Sequence, residues 1–452
     1  MNSTAEFRDY TAISEFRIIN RRTLVECSDP NPFLQISIGS NSSLSDDEFV
    51  SVTVSGVLHP SENDWVAMVS PSHSDVSSCP INEIMYAQTG DLSKLPLVCH
   101  YPVKFPCSRA LPSPAKDFGW HDPGYIHSAV MTGLQPSSTF PYRYGSDSVG
   151  WSNQIQFQTP PAGGSDELKF LAFGDMGKAP RDASVEHYIQ PGSLSVVEAM
   201  AAEIDAGNVD SIFHIGDISY ATGFLVEWDY FLHLINPLAS QLSYMTAIGN
   251  HERDYADSGS VYGTPDSGGE CGVAYETYFP MPTEAKDKPW YSIEQASVHF
   301  TIMSTEHDWT ENSEQYEWMK KDMASVDRSK TPWLIFTGHR PMYSSAGGLL
   351  GVDDHFVKAV EPLLLANEVD LALFGHVHNY ERTCAVYQKE CKAMPVKDEN
   401  GIDTYNNNNY SAPVQAVIGM AGFTLDSFPS NYVNSNTRKV EDSFRITKGQ
   451  GS

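Results

Sequence analysis

The chain has 452 residues, room for two to four domains at about 100–200 residues each. Its 57 acidic against 29 basic side chains leave a formal charge of −28, which argues against a surface for the nucleic-acid backbone, where lysine and arginine must cluster. At 41% hydrophobic and 11% aromatic the composition is globular, and no uninterrupted apolar run approaches the ~18 residues of a membrane span.

The start, Met-Asn-Ser-Thr-Ala-Glu-Phe-Arg-Asp, lacks an apolar h-region, so as written the chain carries no export signal. Residues 1–105 are rich in Ser, Val, Pro and Asn, and the alternation at 34–38 and 50–54 predicts half-buried strands in a small accessory β-domain. Further strand patterns at 125–130, 139–144 and 154–157 end in the linker Thr159-Pro-Pro-Ala-Gly-Gly164. These strands are too few for a full sandwich of about seven, so 106–160 reads as a partial β-domain. From 161 to 452 apolar runs alternate with helical segments, the pattern of βαβ units and a layered α/β sheet. A capping box at Ser195-Val-Val-Glu198 predicts a helix with Leu194, Val197, Ala201 and Ile204 on one face and Gly207 at its C-cap. Two more helices are expected over 313–325 and about 354–367.

Seven cysteines occur without a C-x-x-C, which argues against a structural zinc knuckle. Cys384 and Cys391 are spaced to close a hairpin as a disulfide, and the odd total leaves at least one thiol free or joined to another chain. Sequons stand at Asn2, Asn41 and Asn409; with the acidic balance they point to a secretory protein whose signal is absent from this version.

Five apolar runs end in glycine and a polar cluster: Phe173-Gly174-Asp175, Ile215-Gly216-Asp217-Ile-Ser-Tyr220, Ile248-Gly249-Asn250-His251-Glu252, Thr337-Gly338-His339-Arg340 and Phe374-Gly375-His376-Val-His378. Buried strands would deliver the chain to one sheet edge, glycine would permit a sharp exit, and the next side chain would enter a crevice at the carboxyl ends. The exposed set is Asp175, Asp217, Tyr220, Asn250, His251, His339, His376 and His378. Oxygen and imidazole donors suit hard or borderline ions. They are too many for one tetrahedral metal and, with one carboxylate bridging, fit two ions ~3.5–4 Å apart. His376 and His378, two apart in an extended exit, would each serve a different ion. A tyrosinate ligand at Tyr220 demands a strongly Lewis-acidic ion, because phenol titrates near pH ~10; Fe(III) is the natural one. Taken singly, Gly-Asp is an ordinary turn and Gly-His an ordinary satisfied histidine; the reading rests on five strand ends in order, each followed by a competent ligand.

The ordered blocks GDMG, GDISY, GNHE, GHRPMY and GHVHNYER resemble the metallophosphoesterase superfamily, and the tyrosine in the second narrows it to purple acid phosphatases. His121-Asp-Pro-Gly-Tyr-Ile-His, Tyr142-Arg-Tyr-Gly-Ser, Ser184-Val-Glu-His-Tyr and Ser304-Thr-Glu-His-Asp-Trp are similar to the large plant-type enzymes of the nucleotide pyrophosphatase/phosphodiesterase-like branch. The resemblance implies a layered β-sandwich catalytic domain with helices outside, preceded by small all-β domains, one fibronectin-III-like. It implies Fe(III) at Asp175, Tyr220 and His378, a bridging Asp217, and Zn, Mn or Fe at Asn250, His339 and His376. It makes His251 the outer group that contacts the phosphate and protonates the leaving group. The implied activity is an acid phosphatase acting on phosphate monoesters by metal-hydroxide attack, in a secreted or vacuolar glycoprotein for which a homodimer is known in the family. A nucleotide pyrophosphatase/phosphodiesterase with the same ions is the alternative; a non-catalytic, unstable variant product is the third reading. The third is prompted by segments expected after Cys99 and after Gly422 that the chain does not show. The plant enzymes also lead one to expect histidines roughly ten residues beyond His339, where Gly348 and Leu349 stand; Arg340 or His355 would have to compensate, though each is ordinarily a polar surface residue. His307 is either a pocket residue or a plain loop histidine.

Overall fold

The computed structural model describes residues 35–38, 52–55, 126–147, 149–165, 167–181, 188–345, 352–426 and 444–447. The two alternating stretches near the start pair antiparallel as β1 (Gln35–Ile38) and β2 (Val52–Ser55), Gln35 opposite Ser55. The rest of 1–125 lies outside the described residues, with Cys27, Cys79, Cys99, Cys107, Asn2, Asn41 and the first five residues of the His121 block. So do 184–187, Gly348, Leu349 and the junction after Ser427.

Next come β3 (Thr139–Tyr142), β4 (Gly145–Ser146), β5 (Gly150–Trp151) and β6 (Ile155–Gln158), with β3 antiparallel to β6 and β4 to β5. The strand expected at 125–130 does not form over 126–130. Those residues are all exposed, so their alternation has no buried face to enforce it.

The α/β region opens with β7 (Phe170–Phe173), α1 (Gly192–Asp205), β8 (Ser211–Ile215), α2 (Val226–Ala239) and β9 (Ser243–Ala247), which build a three-stranded parallel sheet ordered β7-β8-β9. Two short helices follow, α3 (Asn250–Arg253) and α4 (Val273–Tyr278). Then come β10 (Tyr291–Gln295), β11 (Val298–Ile302), α5 (Glu314–Ala324), β12 (Trp333–Gly338), α6 (Asp354–Ala366), β13 (Leu371–Phe374), β14 (Tyr380–Tyr387) and β15 (Glu390–Ala393). A peripheral sheet joins β16 (Val396–Lys397), β17 (Asp403–Asn406) and β19 (Phe444–Thr447); β18 (Val414–Ile418) returns to the main sheet. The main sheet has seven strands, ordered β10-β11-β12-β13-β18-β14-β15, with β11, β12, β13 and β18 parallel.

The strand ends therefore divide between two sheets rather than sharing one edge. The sheets face each other through a core of Phe213, Ile215 and Met245 from one and Phe300, Ile302, Ile335 and Leu373 from the other. The Phe213 and Phe300 rings stack at 4.1 Å. On the outer faces α1 and α2 pack Val197, Met200, Trp228 and Phe231 against Ile212 and Tyr244, and α5 and α6 pack Met319, Phe356 and Val360 against Leu334 and Phe336. Opposite faces of one strand serve both layers: Ile212 goes to the helices and Phe213 to the sheet interface. The result is a helix–sheet–sheet–helix sandwich. Among the described residues no helix is long and apolar enough to cross a membrane.

The helices expected at 313–325 and 354–367 form within a residue of their bounds, capped by Ser313 and Asp353, whose side chains accept the Tyr316 and His355 N–H groups. The expected capping box at Ser195 does not exist. The helix begins a turn earlier behind Pro191, and the Ser195 hydroxyl bonds back to the Gly192 carbonyl. Pro191 suits a helix start because a first-turn N–H would go unpaired anyway. Gly207 follows the helix at φ +72°, as a C-terminal glycine should. Cys384 and Cys391 form a disulfide across β14 and β15, while the Cys271 thiol is buried and donates to the Gly269 carbonyl at 3.4 Å.

Candidate metal centre

Each of the five glycine exits leads into one space between the carboxyl ends of the two sheets. Asp175 follows β7, Asp217 and Tyr220 follow β8, Asn250 and His251 start α3 beyond β9, His339 follows β12, and His376 and His378 follow β13. The glycines are needed chiefly for space. Gly174, Gly249, Gly338 and Gly375 have no positive φ; a Cβ on Gly249 would collide with Asp217 Oδ1, and one on Gly375 would lie 2.6 Å from Asp175 Oδ2. Only Gly216, at φ +76° with His339 against its Cα, needs both room and conformation.

Unusual backbone recurs among the side chains expected to act, as it does at several turns elsewhere. Asp175, Asp217, Tyr220 and His376 all sit at positive φ, 61°, 50°, 51° and 69°. Such residues cost on the order of 1–3 kcal/mol each and persist where surrounding structure holds them for a task. His376 is consequently not in an extended exit. Residues 375–379 turn tightly through Val377 N–H to Gly375 O (2.8 Å) and Asn379 N–H to Val377 O (2.8 Å). The two histidines still reach different groups, but by turn geometry rather than strand alternation.

Two clusters result. In one, the Tyr220 hydroxyl lies 3.2 Å from Asp175 Oδ1, 3.2 Å from Asp217 Oδ2 and 3.2 Å from His378 Nε2. In the other, His339 Nε2 lies 3.1 Å from Asp217 Oδ1 and 3.0 Å from Asn250 Oδ1, which is also 3.0 Å from His376 Nδ1. Asp217 faces both clusters, one oxygen each. Candidate ligand atoms of Asp175, Asp217 and His378 lie within 4.8 Å of one another, as do those of Asp217, His339 and His376. One phenolic proton confronts three acceptor-capable atoms, and one amide oxygen confronts two imidazoles. Buried lone pairs thus converge with few protons to share, and a cation in each cluster fits that donor set. His251 sits at the rim, its Nε2 3.9 Å from Asp217 Oδ2 and its ring 4.5 Å from that of Tyr220, while its N–H donates to Asp217 Oδ1 at 3.1 Å.

The electrostatics carry the same tension. Burial, reinforced by Asp217 and Asp175, pushes the Tyr220 phenol far above its usual range. Burial also raises Asp175, although His378 opposes it. Against burial, His339, His251 and His376 hold Asp217 well below the usual carboxylate range, and Asp217 lifts His339 to about 10. Burial and the Arg340 charge drive His376 well below 6.5. A cation in each cluster would relieve the crowded acidic groups.

Several supporting residues were not legible beforehand. Glu252 accepts the N–H groups of Asp217 (3.0 Å), Ile218 (2.8 Å) and Gly249 (3.0 Å), fixing the strained turn that aims Asp217. Its place three residues beyond Gly249 in the GNHE block was the available signal. Asn250 is oriented by its amide N–H to Asp266 Oδ2 at 2.9 Å. Arg340 is no surface residue. Only 17% of its side chain is exposed; it binds Glu306 (2.9 Å) and Asp254 (2.8 Å), stacks 4.1 Å over Tyr262, and brings Nη1 to 3.1 Å from His376 Nε2. His355 is exposed in the first turn of α6, where its N–H donates to the Asp353 carboxylate at 2.8 Å. His307 is buried in a structural network with Arg253, Ser304 and Asp287.

The family model for calcineurin-like phosphoesterases matches residues 168–380, that for the Fn3-like domain from purple acid phosphatase 36–114, and that for the purple acid phosphatase N-terminal domain 87–159. A protein named probable inactive purple acid phosphatase 27, from Arabidopsis thaliana, is 43% identical over 70% of this chain and 52% of its own length. A nucleotide pyrophosphatase/phosphodiesterase from Hordeum vulgare is 38% identical over 62% of this chain and 76% of its own. The solved purple acid phosphatase PPD1 from yellow lupin (Lupinus luteus) seeds is 39% identical, with a TM-score of 0.66, over 74% of this chain and 58% of that one. The chain spans 50–60% of the length of three Arabidopsis relatives it matches.

Proposed function

The chain belongs to the purple acid phosphatase family of metallophosphoesterases, and from that premise we propose that it hydrolyses phosphate monoesters, as an acid phosphatase, at a dinuclear metal centre shared by Asp217. The observation that carries this reading is the pair of Asp217 oxygens, one 3.1 Å from His339 Nε2 and the other 3.2 Å from the Tyr220 hydroxyl. Asp175, Asp217, Tyr220 and His378 would hold Fe(III), and Asp217, Asn250, His339 and His376 would hold Zn, Mn or Fe. The two ions would neutralise the ester oxygens and supply activated water for in-line attack.

The chain's own residues do the rest. Glu252 and the His251 N–H clamp Asp217, so its two oxygens stay divided between the clusters. Asp266 turns the Asn250 oxygen inward. His251, at the rim with Nε2 3.9 Å from Asp217 Oδ2, would give a proton to the departing alkoxide. We assign this chemistry to residues 161–452, with 1–105 as an accessory β-domain and 106–160 as a partial fibronectin-III-like domain. Asn409 is exposed in a short helix, which supports a glycosylated, secreted or vacuolar protein.

The relatives favour two rival readings. The barley protein's name favours nucleotide pyrophosphatase/phosphodiesterase activity; the words "probable inactive" in other names favour a metal-binding product without turnover. One set of measurements on the purified chain separates them: metal content, visible absorption, and steady rates with an aryl phosphate and an aryl diester. Two ions, a tyrosinate–iron band and faster monoester turnover support the phosphatase. Faster diester turnover replaces it with the second reading, and a colourless, inert protein with the third.

A further inference from the structure

His339 and His376 would both ligate the second ion, yet the groups behind their rings have opposite character. A histidine that holds an ion through one nitrogen keeps its proton on the other, and that N–H ordinarily meets a carbonyl or carboxylate, which fixes the ring and strengthens it as a ligand. His339 has this arrangement: Nε2 faces Asp217 Oδ1 and Asn250 Oδ1, and Nδ1 lies 3.1 Å from the Ile215 carbonyl. His376 faces Asn250 Oδ1 through Nδ1 at 3.0 Å, and behind it Nε2 lies 3.1 Å from Arg340 Nη1. A guanidinium only donates and does not lose its proton. That contact is therefore a hydrogen bond only while Nε2 keeps its lone pair, which puts the proton of a neutral ring on Nδ1, pointing at Asn250 Oδ1. In that form Arg340, His376 and Asn250 make one chain of bonds, and Nδ1 has no lone pair for an ion. Moving the proton to Nε2 frees Nδ1 but sets N–H against N–H beside a full positive charge.

Arg340 has little freedom to withdraw. Its Nε donates to both Glu306 oxygens, at 2.9 and 3.2 Å, and its Nη2 to Asp254 Oδ2 at 2.8 Å; both carboxylates are fully buried. The guanidinium lies over Tyr262, whose hydroxyl is held by Asp353 at 3.0 Å, and the Arg340 N–H donates to Thr305 Oγ1 at 3.1 Å. Charge points the same way. The first cluster gathers three acidic groups, Asp175, Asp217 and Tyr220, around one histidine, whereas the second adds only the neutral Asn250, His339 and His376 to its share of Asp217.

We propose that Arg340 is a positioning residue that makes the second metal site the weaker of the two, so that the chain holds the ion beside Tyr220 firmly and takes the divalent ion beside His376 as an exchangeable activator. This rests on the dinuclear reading above and adds its regulation: hydrolysis follows the free divalent ion. Changing the outer partner of a ligand histidine alters metal affinity by about 10–100-fold, which sets the size of the effect.

The test reads binding directly, whether or not turnover occurs. The full chain, loaded with iron and then zinc, is titrated with a chelator while the content of each metal is followed, and Zn²⁺ is returned by calorimetric titration. The unaltered protein is expected to give up zinc at a chelator concentration at least about tenfold below that which removes iron. Arg340→Lys keeps a positive charge beside Glu306 and Asp254 but loses the arm that faces Nε2, and should bind Zn²⁺ about 10–100-fold more tightly than the unaltered chain. Arg340→Met, which has no donor at all, should show the same gain and stands in if thermal melts show the lysine variant unfolded. An arginine that merely braced the ring would give the reverse, weaker zinc in both variants. That reverse result, an unchanged zinc affinity in the folded variants, or zinc and iron lost together from the unaltered chain overturns the proposal and leaves the dinuclear reading intact. A chain that binds neither ion removes that reading, and the role of Arg340 with it.

Discussion

Asp217 and His339 meet at 3.1 Å although they leave different sheets, β8 in the three-stranded sheet and β12 in the seven-stranded one. A single carboxylate therefore joins the two halves of the sandwich at the point where the ions are proposed to sit. Asp217→Ala should remove both ions and lower hydrolysis on the order of 10³-fold. Elemental analysis alongside a rate assay checks this; a variant that keeps both ions would refute the shared-carboxylate assignment.

Tyr220 is fully buried, and its hydroxyl faces only the first cluster. Tyr220→Phe keeps the ring and its packing on Phe423. The visible tyrosinate–iron band should vanish while the second ion, held by Asn250, His339 and His376, stays. Absorption spectra and metal content read this out, and a band that survives the substitution would mean another residue supplies the phenolate.

Gly249 has ordinary extended φ and ψ of −116° and −177°, so alanine suits its backbone. The added methyl would instead strike Asp217 Oδ1 and the Asp217 N. Gly249→Ala is expected to destabilise the fold by about 1–3 kcal/mol and to reduce metal content. Urea unfolding and elemental analysis test the two effects; unchanged values in both would show that the close approach is not required.

In metal-free protein, burial opposes charge on both Asp217 and His339, but each outweighs it for the other, with His339 raised to about 10 and Asp217 held low. A histidine raised on folding contributes stability below its unfolded value near ~6.5 and loses it as pH climbs toward 10. A depressed carboxylate contributes above ~3.9 and loses it as pH falls. Chelator-treated protein should therefore lose melting temperature steadily from pH ~6.5 to 10. Metal requires Nε2 without its proton, so metal affinity should rise over the same range, with proton release on binding. Calorimetric melts with and without chelator decide it; parallel curves would rule out an ionised pair.

The Cys384–Cys391 disulfide joins β14 to β15 at the far edge of the main sheet. Closing so short a loop is worth about 2–3 kcal/mol. Cys384→Ser should lower stability by up to that amount and leave metal content and hydrolysis unchanged. A loss of bound metal would show that this edge supports the centre.

Where chain-local rules act, much of the sequence was legible, the Ser195 capping box and the 125–130 strand excepted. Glycine beside a polar residue at the end of an apolar run marked each strand exit, two helices were legible to within a residue of their bounds, and Cys384 and Cys391 marked a hairpin closure. These depend on residues a few positions apart, so their physics is visible in order alone. Tertiary structure decided that the exits come from two facing sheets, that Gly249 is glycine because Asp217 lies against it, and that Arg340 is a mostly buried partner of His376. Those facts depend on close approach between segments far apart in the chain, which no spacing rule encodes because packing in three dimensions sets it.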